Sequence, residues 1–101
     1  MKIVQESINP QKLDELYAAL QPHLNRSFIG SVIYQNGQRR FAVAGTIRII
    51  QRRSSVLIEA PEYGFAFEVL EKNIEGWRPI EDGAHIDMSE GHIELAWAIR
   101  P

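Results

Sequence analysis

The chain has 101 residues, 45% of them hydrophobic and 24% charged, with a formal net charge of −2. This is the composition of one globular domain spanning residues 1–101, long enough to bury a core, and not of a disordered chain. Cysteine is absent, which excludes a disulfide framework, a thiolate metal site and a cysteine nucleophile.

No apolar run approaches the ~18 residues that a membrane-spanning helix needs. Polar residues follow directly on Met1-Lys2-Ile3-Val4, so no secretory leader is expected. The expectation is a cytoplasmic protein without membrane contact. Charge is unevenly distributed: residues 1–53 carry eight Lys/Arg and three acids, residues 54–101 three Lys/Arg and ten acids. In a meander of strands this split predicts a basic edge and an acidic edge.

In chain order, residues 2–6 read as a short edge strand. A helix follows, with Asn9 as N-cap and Pro10 at the first helical position, where its missing N–H costs nothing. Leu13, Leu16, Tyr17 and Leu20 then recur on one helical face. Asp14 and Glu15 are expected near its positive end, Pro22 to stop it near Leu20, and His23 to interact with its negative end.

From Ser27 onward apolar and polar residues alternate, and the strands fall at 27–35, 38–52, 55–61, 64–71, 76–79, 84–88 and 91–100. Asn36-Gly37 is a two-residue hairpin signal that sets Val32 against Phe41 and Tyr34 against Arg39. A turn at Arg53-Ser54 sets Ile49 against Ile58 and Arg48 against Glu59. The turn Pro61-Glu62-Tyr63-Gly64 sets Ala60 against Phe65 and Ile58 against Phe67. Segment 71–77 is ambiguous between a turn and a bulged crossing, and 79–83 reads as a plain turn. The final hairpin closes at Met88-Ser89-Glu90-Gly91, with Ile86 opposite Ile93 and Ala84 opposite Leu95. A one-residue slip in any of these registers would throw the apolar set onto the other face.

One face collects Phe28, Val32, Tyr34, Phe41, Val43, Ile47, Ile49, Val56, Ile58, Phe65, Phe67, Val69, Ile86, Ile93, Leu95, Trp97 and Ile99. A single short helix cannot cover so much apolar surface, and at ~25 cal/mol per Å² its exposure would forfeit many kcal/mol. The sheet must therefore curl, pair with a second subunit or hold a ligand. Gly30 and Gly45 are the points at which curvature is expected. The predicted fold is α+β: one N-terminal helix packed on a strongly curved antiparallel β-meander of about six strands, half-barrel or barrel-like. The other face mixes Ala42, Ala44, Ala66, Ala96 and Ala98 with Ile29, Ile33, Ile50 and Leu57, and small residues there offer an alternative seat for the helix.

Three constellations carry candidate chemistry. Arg48 lies across from Glu59 with Glu68 diagonal to it, and Arg100 shares their face. This is a cross-strand charge ladder, or, if enclosed, a polar-ligand site or an acid–base site built on Glu59 or Glu68 with Arg48. His85 faces Glu94 and Asp87 faces His92, two imidazoles and two carboxylates of the types that bind zinc, iron or manganese. The arginine doublets 39–40 and 52–53 sit on the order of 40 Å apart along a straight strand. With the aromatics on the core face and a pI near 5.9, nucleic-acid binding is not expected.

No phosphate-cradling glycine loop, nucleophile elbow or His-Glu-x-x-His is present, no motif identifies a family, and no cofactor is implied. The expected function is a non-catalytic binding or interaction module, homodimeric, taking a small molecule or a protein partner on its curved sheet. A small enzyme and a metal-binding hairpin are the alternatives.

Overall fold

The computed structural model describes residues 8–98. The edge strand expected at residues 2–6, as well as Ile99 and Arg100, lie outside that range. Helix α1 is Pro10–Leu20, and seven strands follow: β1 (Ser27–Asn36), β2 (Arg39–Gln51), β3 (Ser55–Ala60), β4 (Phe65–Leu70), β5 (Ile74–Ile80), β6 (Gly83–Met88) and β7 (Gly91–Ala96). The fold is α+β with a curled antiparallel sheet, with one strand more than the six expected.

The helix begins as its sequence dictates. The Asn9 side chain accepts from the Lys12 N–H at 2.8 Å and Pro10 opens the first turn. Asp14 and Glu15 fall in the second turn, and the first holds no acid, so they lie beyond the short reach of the helix dipole. After Leu20 the chain tightens into a 3-10 turn, Gln21–His23, through Pro22.

Three of the four hairpin registers are as the alternation requires: Arg48↔Glu59, Ala60↔Phe65 and Ile86↔Ile93. The first hairpin is displaced by two residues, with Val32↔Val43, Tyr34↔Phe41 and Asn36↔Arg39. Its loop is Gly37-Gln38, and the left-handed residue is Gly37 at φ 60° in the first loop position, the pattern of a II′ turn. An even displacement leaves every side chain on its face. It also replaces the mismatched Tyr34/Arg39 pair by Tyr34/Phe41, a better cross-strand contact.

The strand order is β4-β3-β2-β1-β7-β6-β5, not the sequential meander expected. Long-range pairing of β1 with β7 joins two hairpin runs, so the basic β1–β2 hairpin is central and the acidic strands flank it. The expected basic-edge, acidic-edge split is therefore absent. The same order places consecutive strands β4 and β5 at opposite edges, joined only by the 3-10 turn Glu71–Asn73. In a flat sheet those edges would stand ~29 Å apart, and this link reaches on the order of 14 Å. The sheet must curl until its edges converge at that turn. Bulging between Ile74 and Gly76 in β5 adds local twist where convergence is tightest. Strand β5, which also carries Pro79, explains why segment 71–77 is hard to read from sequence.

Curling encloses two regions. Leu16 and Leu20 of α1, with Leu24 just beyond it, fill one of them. They form a continuous core with Ile47, Ile49, Val56, Ile58, Ile86, Ile93 and Leu95. The helix therefore sits on the large apolar face and not on the alanine face, where Ala42, Ala44 and Ala66 remain exposed. Hydrogen bonds tie it to the converging edges: the Trp77 indole N–H donates to the Lys12 carbonyl at 2.9 Å, the Ile8 N–H to the Ile74 carbonyl at 2.8 Å, and the Tyr17 hydroxyl to Glu71. Burial, then that bond and the Glu71 charge, push the Tyr17 phenol well above its ordinary range.

Candidate functional site

The second enclosed region carries no helix. It is built by inward-facing aromatics at the end where β1 and β2 run past the short β3. Tyr34 and Phe41 come from the first hairpin and Phe65 and Phe67 from β4. Their rings form a chain: Phe41 stacks on Phe65 at 4.0 Å, Phe65 meets Phe67 at 5.0 Å and Phe67 meets Tyr34 at 5.3 Å. Strands β1 and β4 are three places apart in the sheet, ~14 Å if it were flat, so the Tyr34–Phe67 contact is a direct consequence of the curl.

Two features hold β4 in position. Glu62 accepts from the Thr46 N–H at 2.8 Å, and the Tyr63 hydroxyl donates to the Ala44 carbonyl at 2.7 Å. The Thr46 hydroxyl and N–H hold the Glu62 carboxylate below its ordinary range against a small opposing effect of burial. Beneath this corner, Gly45 takes φ 146°, where an L side chain is strained, and β2 departs there from regular pleat.

The rings line two adjoining cavities. One, about 280 Å³, lies between β4 and the β6–β7 turn and is lined by Phe65, Phe67, Glu68, Asn73, Met88 and Glu90 among others. Arg39, Arg40 and Phe41 line the other, about 260 Å³. Tyr34 and Phe65 belong to both walls, so the two adjoin across a shared aromatic wall to make an aromatic cleft, with Arg39 and Arg40 at one end and Glu90 at the other. A core-like aromatic cluster left open to solvent is the ordinary anatomy of a small-molecule site.

The charged trio falls in the expected register, with Arg48 across from Glu59 and Glu68 diagonal to Glu59. Arg48 and Glu59 are register partners on the outer face, and Glu68 lies on the same side. Its carboxylate, however, accepts from the Ser55 hydroxyl at 2.9 Å and stands 3.6 Å from the Arg52 guanidinium. Glu68 is thus paired with Arg52, both side chains exposed, and does not close a pocket with Arg48 and Glu59.

The final hairpin does bring His85, Asp87, His92 and Glu94 together. His85 is the hub, 7% exposed, with Nδ1 3.1 Å from Glu94 Oε1, Nε2 3.0 Å from Asp87 Oδ1 and the His92 ring stacked at 5.0 Å. Both ring nitrogens that would serve a metal are engaged by carboxylates. Among the described residues no group of three or more His, Cys, Asp or Glu side chains is placed to hold a metal ion.

His23 is not the helix-end partner expected. Its ring stacks on Trp97 at 4.4 Å and meets the edge of Phe28 at 5.4 Å. Burial, and secondarily the Arg26 charge, hold its pKa below the ordinary 6.5, the reverse of what a helix C-terminus would do.

The aromatic cleft was legible as part of the large apolar face but not as a site. The missed signal is a change of chemistry along that face. Positions 34, 41, 65 and 67 are aromatic, while 47, 49, 58, 93 and 95 are aliphatic and lie under the helix. No described helix is long and apolar enough to cross a membrane. The chain matches no family model, no curated protein sequence and no solved structure.

Proposed function

We propose that this protein is a non-catalytic binding module that holds a small apolar ligand in the aromatic cleft at the helix-free end of its half-barrel. The observation that carries this reading is the open wall formed by Tyr34, Phe41, Phe65 and Phe67. The opposite end of the same face is filled by Leu16 and Leu20, and this end is filled by nothing from the described chain. Rings held at such spacing offer stacking surfaces and dispersion contacts at little entropic cost. Arg48 and Glu59 have no part in the reading, because they lie on the outer face.

The test is binding of the uncharged fluorophore N-phenyl-1-naphthylamine, whose emission rises on leaving water. Saturable binding with one site per chain is expected. Phe67→Ala should weaken it about tenfold by removing one ring of the wall, with circular dichroism confirming that the variant is folded. Absence of saturable binding, or an unchanged affinity in folded Phe67→Ala, would reject the cleft.

A homodimer remains part of the proposal on a different ground from the one the sequence suggested. Curl and helix already cover much of the inner face, so a second copy would use the outer one, where Ile29 is 58% and Tyr63 56% exposed. Sedimentation equilibrium tests it: Ile29→Lys should shift a dimer to monomer, and a wild-type chain that is monomeric throughout would remove this part.

A further inference from the structure

We infer that the ligand of the cleft is an anionic amphiphile, an apolar body ending in a carboxylate or similar acid, bound with its charged head at Arg39 and Arg40. This rests on the cleft being the binding site. The inference comes from the asymmetry of the two ends. Strand alternation from Phe41 and the pairing Asn36↔Arg39 place Arg39 on the inner face, beside the Tyr34/Phe41 pair. Arg40, next along the strand, is turned to the outer side by the same alternation but also lines the cavity walled by Tyr34, Phe41 and Phe65, at its rim. Neither arginine forms an ion pair with a described residue, so their charge is not spent on the fold.

At the far end the lining includes Glu90, which would repel an acid group and favour its placement at the arginine end. Flat rings between the two ends suit an apolar body. A guanidinium fork beside them matches a carboxylate in two parallel hydrogen bonds, as a lysine would not. The uneven charge along the sequence thus acquires a location: the basic first hairpin and the acidic last turn flank the same cleft.

The experiment is displacement of N-phenyl-1-naphthylamine at pH 8 by three chains of equal length, decanoate, decan-1-ol and decylammonium. Decanoate should displace at about fivefold lower concentration than decanol, the size expected of a charge-assisted contact at a solvated rim. Decylammonium should be the weakest. Added salt should erode the advantage of decanoate while leaving decanol unmoved. In Arg39→Gln/Arg40→Gln the decanoate and decanol curves should coincide. Arg53→Gln, a charge removed at a distant turn, should keep them apart.

Decanoate no better than decanol, decylammonium as the tightest of the three, or an advantage that survives the double substitution would each overturn the inference while leaving the cleft standing. Failure of the fluorophore itself to bind saturably would remove the cleft and the inference together.

Discussion

Gly45 in β2 takes a φ of 146°, and a Cβ built there would stand 3.2 Å from the Glu62 carboxylate that caps the Thr46 N–H. Gly45→Ala therefore combines backbone strain with pressure on that contact. It should lower stability by about 1–3 kcal/mol, read as a lower urea midpoint with an unchanged slope. A neutral outcome would mean that the curl does not depend on this residue. His23 supplies a second residue-scale prediction. Its pKa in the fold lies below the ordinary 6.5, so the folded state binds the proton less readily than the unfolded chain. Its contribution to stability is then complete above pH 6.5 and is lost as pH falls from there through the lower folded value. His23→Phe keeps a ring against Trp97 and Phe28 and removes the titration. The fall in melting temperature between pH 7 and 5 should be shallower in this variant than in the wild type, and equal slopes would count against the stacked, neutral His23.

At the scale of elements, helix and sheet divide one apolar face between a filled end and an open end. Leu16 is fully buried at the filled end. Leu16→Ala should cost about 2–5 kcal/mol and leave the affinity of the cleft for a neutral fluorophore essentially unchanged, because the two ends are lined by different residues. Loss of both in a folded variant would show that the helix shapes the cleft. This is also the scale at which the sequence was most readable. Turns at 53–54, 61–64 and 89–90 join strands whose loop length and alternation together leave one register, and those registers are observed. The hairpin at Gly37 was two residues off because Asn36-Gly37 and Gly37-Gln38 loops preserve the same alternation, and only cross-strand pairing distinguishes them. Pairing of β1 with β7 left no local trace, since some sixty residues separate the partners Val32 and Leu95. The charged quartet on the last hairpin was legible as a neighbourhood because a short turn fixes it. The diagonal of Glu68 to Glu59 is likewise legible from the register, whereas its contacts with Ser55 and Arg52 depend on side-chain reach that a register does not specify.

For the whole molecule, the decisive constraint is that the two edges of a seven-stranded sheet are joined by Glu71–Asn73. No ladder pairs β4 with β5, so their approach is held by this short link, by α1 through Tyr17–Glu71, and by the segment leading into α1 through Ile8–Ile74. The wall of the cleft spans the same gap: Phe65 and Phe67 stand on one side and Met88 and Glu90 on the other. Lengthening the link should therefore act on stability and binding together. A Gly-Ser-Gly insertion after Lys72 doubles it, which by loop entropy alone would cost about 0.6 kcal/mol. The expected loss is clearly larger, because the insertion releases a geometric constraint as well as adding chain freedom, and fluorophore affinity should fall in parallel as β4 moves away from the β6–β7 turn. A loss near the entropic figure with binding intact would instead assign the curl to the packing of α1 and the aromatic chain. The link would then be only a permissive connection, and ring contacts between strands three places apart would be the force that bends the sheet.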